Sequence, residues 1–135
     1  MWKHFSHQAD IGVKAIAENL SEAFAEAALG LTAIVTEPER IDCTNSVTIK
    51  VKAENTEMLF VNWLNAVIYE MATRHMLFGK FEVEIDDLRL SAKIWGERVD
   101  LKKHSPVVEP KAVTFNQLSV KDINGNWTVQ CVIDV

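Results

Sequence analysis

Apolar residues recur at every second position in about six stretches of this chain, and their spacing changes to a helical one only twice. Ile11, Val13 and Ala15 alternate with Gly12 and Lys14. Val47, Ile49, Val51 and Ala53 alternate with Thr48, Lys50 and Lys52. Phe81-Val83-Ile85 and Leu88-Leu90-Ala92-Ile94 flank Asp86-Asp87 and predict a hairpin. The segment from Ala112 to Val120 is rich in β-formers, and Asn124-Gly125 is a strong turn signal before Trp127, Val129, Cys131, Ile133 and Val135. An interval of two puts side chains on one face of a strand, so each stretch predicts a half-buried strand.

The two exceptions predict helices. Leu20, Ala23, Phe24, Ala27, Ala28, Leu31, Ile34 and Val35 form one stripe, with Ser21 the expected N-cap, Glu22 in the first turn and Pro38 beyond the end. Gly30 lowers the intrinsic helix preference there by about 1 kcal/mol relative to Ala. Phe60, Trp63, Leu64, Val67, Ile68 and Met71 repeat at three and four after Asn55-Thr56. Two helices among about six strands predict an α+β sandwich: a mostly antiparallel sheet with both helices on one face. The polar stretch from Gly96 to Pro110 reads as a long loop.

With 135 residues the chain is expected to be a single domain, 1–135, whose core needs no disulfide or structural metal. Fourteen Lys and Arg face 19 Asp and Glu, a net charge of −5, which disfavours a primary binder of nucleic acid, so no stable direct RNA binding is expected. No apolar leader segment precedes the first strand, and no apolar run approaches the roughly 20 residues that span a bilayer, so a cytoplasmic location without membrane association is expected. Cys43 and Cys131 have no metal-ligand spacing; Cys131 falls in an apolar alternation and is expected to be a buried hydrophobe, Cys43 a partly exposed thiol.

Strand parity gives the first chemical clue. Asp134 lies opposite in parity to the apolar set of the last strand, and Asp10 opposite to Ile11 and Val13. The carboxylate of Val135 would follow directly on Asp134. If Asp10 came close to that end, three negative groups would need a cation, and oxygen donors alone favour Ca²⁺, Mg²⁺ or Mn²⁺. The alternative is that each Asp is a solvated turn former, and their separation by nearly the whole chain leaves both readings open. His4 and His7 would suit a metal only on a helix, His75 fits a helix C-terminus, and Lys102-Lys103-His104 reads as solvated surface. No nucleophile elbow, phosphate loop or HExxH is present, which disfavours an independent enzyme.

Several motifs in order resemble the archease family. They are His7-Gln8-Ala9-Asp10-Ile11-Gly12, Leu20-Ser21-Glu22-Ala23-Phe24, Trp63-Leu64-Asn65 and Leu77-Phe78. Then come Trp95-Gly96-Glu97, Lys103-His104, Glu109-Pro110-Lys111-Ala112-Val113-Thr114-Phe115 and Val132-Ile133-Asp134-Val135. The sequence departs from the family pattern at Gln8, Val107-Val108 and Pro110. The resemblance covers essentially the whole chain. It implies a small α+β accessory protein of the RtcB-type RNA ligase, which acts in tRNA splicing and RNA repair. That ligase uses GTP and Mn²⁺ to form a guanylate intermediate on its own histidine, and the archease promotes this step and multiple turnover. The resemblance further implies a divalent ion (Ca²⁺, Mn²⁺ or Mg²⁺) held by Asp10, Asp134 and Val135, and a role for Lys111 in activating the ligase. A stand-alone metal-dependent phosphoester hydrolase using the same carboxylates is the alternative expectation.

Overall fold

The computed structural model describes residues 1–7 and 10–135, with His7 described by its backbone alone. Seven strands run β1 (Trp2–His7), β2 (Asp10–Ala17), β3 (Asn45–Lys52), β4 (Met76–Asp86), β5 (Arg89–Arg98), β6 (Ala112–Ile123) and β7 (Asn126–Asp134). The helices are α1 (Leu20–Val35), α2 (Thr56–Arg74) and the short α3 (Leu101–His104). The α+β, antiparallel character expected from the spacing is what the chain adopts.

The strands form two sheets. One has four strands in the order β1-β2-β7-β6, the other three in the order β3-β5-β4, and all pairings are antiparallel. Both long helices touch both sheets: α1 packs on β1, β2 and β7 and also on β4, while α2 packs on β6 and on β3, β4 and β5. The helices are therefore a middle layer, covering the inner face of each sheet. This explains why so much of their circumference is apolar, since a helix covered on two sides cannot keep half of itself polar.

Local chemistry sets the helix ends. Asn19, not Ser21, caps α1: its side chain accepts the Glu22 N–H at 2.8 Å. Asn55 caps α2 in the same way through Met58 N–H, also at 2.8 Å. His75 closes α2 in the left-handed conformation, with φ 53° and its N–H on Met71 O. Gly30 has a packing reason: a Cβ there would stand 2.8 Å from Val13 Cγ1, so the missing side chain lets α1 lie close on β2. Asn124 and Gly125 both take positive φ in the β6–β7 turn, as their sequence signals, and Asp87 does so in the β4–β5 turn without a glycine.

Trp63, Phe24, Phe60 and Phe78 are the largest fully buried side chains. The Trp63 indole N–H donates to Phe24 O at 2.9 Å, and its ring meets Phe81 edge-on at 6.1 Å. Cys131 is fully buried, as expected, and burial pushes its thiol up to about 12, so it stays protonated and inert. Cys43 is a free, exposed thiol. Among the described residues, no helix is long and apolar enough to cross a membrane.

Three further local expectations change. β1 is an additional strand, bringing the count to seven rather than about six. The segment from Gly96 to Pro110 is not one long loop: β5 continues to Arg98 and α3 occupies Leu101–His104. His104 is not solvated surface but has no exposed area at all.

Candidate functional site at the end of the four-stranded sheet

The β2–β7 register pairs Ile11 with Ile133, Gly12 with Val132 and Val13 with Cys131. The β2–β7 pairing ends there, and Asp10 and Asp134 are the next residues along the two strands. Alternation turns both Asp residues to the outer face, because the intervening Val13, Ala15, Cys131 and Ile133 all point into the core. On the far side of β7, Ala112 pairs with Asp134, and the Lys111 N–H donates to Asp134 O at 2.8 Å. His7 pairs with Asp10 from β1. Thus the strand order itself gathers residues that are more than a hundred positions apart in sequence.

Asp10, Asp134 and Val135 are half-buried and Lys111 is exposed. Among the described residues, neither Asp side chain makes an ion pair. No three His, Cys, Asp or Glu side chains among the described residues converge as a ready-made metal cage. The expected donor set is different in kind: two Asp side chains and the carboxylate of Val135, all oxygen, which fits a hard divalent cation. Gln8, where the sequence departs from the family pattern, lies outside the described residues.

Lys111 is delivered by a strap, residues 105–111, that runs from α3 to β6. Ser105 turns the chain in the left-handed region at φ 45° after α3. Val107 N–H donates to Val35 O at 3.0 Å, and Pro110 is buried against the body of the protein. Pro106, Val108 and Pro110 line an apolar cleft of about 310 Å³ together with Val35, Ile68, Met71 and Leu77. Just beyond Lys111, Val113 N–H is held by Asn65 Oδ1 at 2.9 Å, which gives the Trp63-Leu64-Asn65 motif a structural purpose on both its polar groups.

A second polar group begins where the strap begins, and sequence reasoning missed it. Glu97 Oε2 accepts three donors: Lys103 Nζ at 2.7 Å, Asp42 N–H at 2.7 Å and His104 Nε2 at 3.0 Å. Lys103 Nζ also reaches Asp42 Oδ2 at 2.8 Å. The Asp100 N–H donates to His104 Nδ1, so the ring hydrogen sits on Nε2 and points at Glu97. A short polar run reads as solvated when taken alone. The signal was in the motif pair Gly96-Glu97 and Lys103-His104, two fragments that only the fold unites.

The Lys103 hydrogen bond, with the Asp42 N–H next, lowers the Glu97 carboxyl from 4.5 to about 2. A depressed folded-state value means that Glu97 stabilises the fold fully above 4.5 and that this contribution fades as pH falls from there toward about 2. The melting temperature of the wild type should therefore drop over that window, and Glu97→Gln should flatten this part of the profile. Parallel profiles for the two proteins would contradict the assignment. Lys103 is shifted up by the same contacts, Asp42 first, so its share persists at neutral pH.

The comparisons with known proteins fall on this geometry. Residues 2–135 match the Archease protein family (MTH1598/TM1083), and the chain belongs to that family. The protein archease of Pyrococcus furiosus is 32% identical over 139 residues, covering 99% of this chain and 98% of its own. That of Sulfurisphaera tokodaii is 30% identical over 136 residues with the same coverage. Among solved structures, protein 1598 of Methanobacterium thermoautotrophicum superposes with a TM-score of 0.87 at 28% identity, covering 99% of this chain and 98% of its own. An archease of Thermotoga maritima, described as a possible chaperone, shares the fold at a TM-score of 0.65 and 19% identity, covering 98% of this chain and 96% of its own.

Proposed function

We propose that this protein is an accessory factor of an RtcB-type RNA ligase, promoting the ligase's guanylylation and repeated turnover in tRNA splicing and RNA repair. The observation that supports the reading is the β2–β7 register, whose last pair, Ile11 with Ile133, lies next to Asp10 and Asp134, with the Lys111 backbone bonded to Asp134. Asp10, Asp134 and the carboxylate of Val135 would hold a divalent ion, Ca²⁺, Mn²⁺ or Mg²⁺. Such an ion would supply charge to the triphosphate-bearing site of the ligase, which uses GTP.

Without a cation, two neighbouring carboxylates repel each other, and a third negative group adds to that. The chain provides no ion-paired base for either one among the described residues. Lys111 is anchored by its own backbone to Asp134 and is exposed. It is suited to an acidic group of the ligase or a phosphate of the bound nucleotide. In this reading the protein itself forms no covalent intermediate, and guanylylation takes place on the ligase.

Two measurements test the reading. Supplied to an RtcB-type ligase with limiting GTP and Mn²⁺, the protein should raise the rate at which the ligase is guanylylated; no stimulation would refute the function. In a metal titration, a residue appended after Val135 should weaken Mn²⁺ binding by about tenfold or more, as loss of a ligand carboxylate does, whereas an N-terminal tag should not. Equal affinity in both tagged forms would remove Val135 from the site. Hydrolysis of phosphoesters by the isolated protein with Mn²⁺ would favour the enzyme alternative instead.

A further inference from the structure

We propose that Glu97 is a positioning residue for Lys111, acting through His104 and the strap that joins them. The proposal rests on the ligase reading above for its functional arm only. Three donors from two separate segments end on one carboxylate oxygen: the Asp42 backbone, and the Lys103 side chain and His104 ring of α3. His104 is fully buried, and all its polar groups are used. Nδ1 accepts from the Asp100 N–H, Nε2 donates to Glu97, and its carbonyl accepts from the Thr36 hydroxyl at the end of α1. A buried imidazole with every hydrogen bond made has one orientation, so the residue that opens the strap is fixed in place.

From that fixed point the chain has little freedom before Lys111. Ser105 is the left-handed cap of α3, Pro106 and Pro110 restrict φ, and Val107 N–H is bonded to Val35 O. The far end is bonded through Lys111 N–H to Asp134 O. The strap thus has one polar anchor at each end and one in its middle, with Val108 packed on the core and Pro110 buried between them. Loosening the Glu97 anchor would transmit to Lys111, because the two prolines and the Val107 bond leave so short a strap few ways to absorb a shift at its first residue.

The test is Glu97→Gln, which keeps size and an acceptor oxygen but removes the charge that holds Lys103. Hydrogen exchange, read by NMR at neutral pH, should rise about tenfold or more at the Val107 and Lys111 amides, while the β2–β7 ladder amides change less than about threefold. Maximal ligase stimulation should fall by about fivefold or more, with Mn²⁺ affinity within about twofold of wild type. Glu82→Gln, on β4 and outside the cluster, should leave all of these at wild-type values. Unchanged exchange at Lys111, or an equal rise throughout the ladder, would overturn the positioning role. Should Glu97→Gln not fold, Lys103→Met removes one arm of the same clamp and is read by the same criteria, with Lys103→Arg expected to restore it. Absence of stimulation by the wild type would refute the ligase reading, whereas the exchange pattern decides the positioning role by itself.

Discussion

Trp63→Ala should destabilise the protein by about 4 kcal/mol and lower its melting temperature by on the order of 10–20 °C. Trp63 has no exposed area, lies in the helical layer between the sheets, and meets Phe81 edge-on. Truncation leaves a cavity where both sheets lean on α2, and it also strips the Phe24 carbonyl of the indole N–H that satisfies it. Trp63→Phe separates the two terms. It keeps most of the ring but not the donor, and should lose about 1–2 kcal/mol. Urea unfolding followed by circular dichroism measures both, and equal losses in the two variants would mean that the hydrogen bond, not the volume, dominates.

Gly96→Ala should be comparably damaging, for a different reason. A Cβ on Gly96 would stand 1.8 Å from Leu77 O and 2.8 Å from Phe78 Cα, all backbone, so no side-chain rotation relieves the clash. The β4–β5 pair must part at the irregularity between Phe78 and Lys80. Glu97 is the next residue and would be drawn off its three donors, leaving buried His104 without its acceptor. Two penalties, each of about 1–3 kcal/mol, then add. Gly79→Ala is the natural contrast: its nearest neighbours lie at 3.3 Å, a tight contact that a shift of a few tenths of an ångström relieves, so it should lose far less stability than Gly96→Ala. A Gly96→Ala protein as stable as Gly79→Ala would contradict the close approach.

These two sites also mark what was legible in the sequence. The Trp63 stripe was read correctly because helical periodicity is local, and the same holds for the strands with clean alternation. β1 escaped because Phe5 faces outward, over Gly12, and Trp2 inward, toward Gly30, which leaves no simple apolar pattern from Trp2 to His7. The division into two sheets was not readable either, since alternation says which face a residue takes but not which strand lies beside it. Asp10 and Asp134 illustrate the limit well. Parity put both on the polar side of their strands, yet only the pairing of Ile11 with Ile133 brings them together. Glu97 and His104 were harder still: a buried polar cluster is built from residues that look solvated one by one, and its hydrogen bonds link positions up to 68 apart.

The family membership and the register together make the carboxylate end of the four-stranded sheet the centre of the proposed role. One measurement bears on it most directly. Guanylylation of an RtcB-type ligase, at limiting GTP and Mn²⁺, should be stimulated by the wild type and reduced at least about a hundredfold in effectiveness by Asp10→Ala or Asp134→Ala, with circular dichroism and melting temperature retained, as expected for loss of an essential charged ligand. Full stimulation by both folded variants would contradict the account.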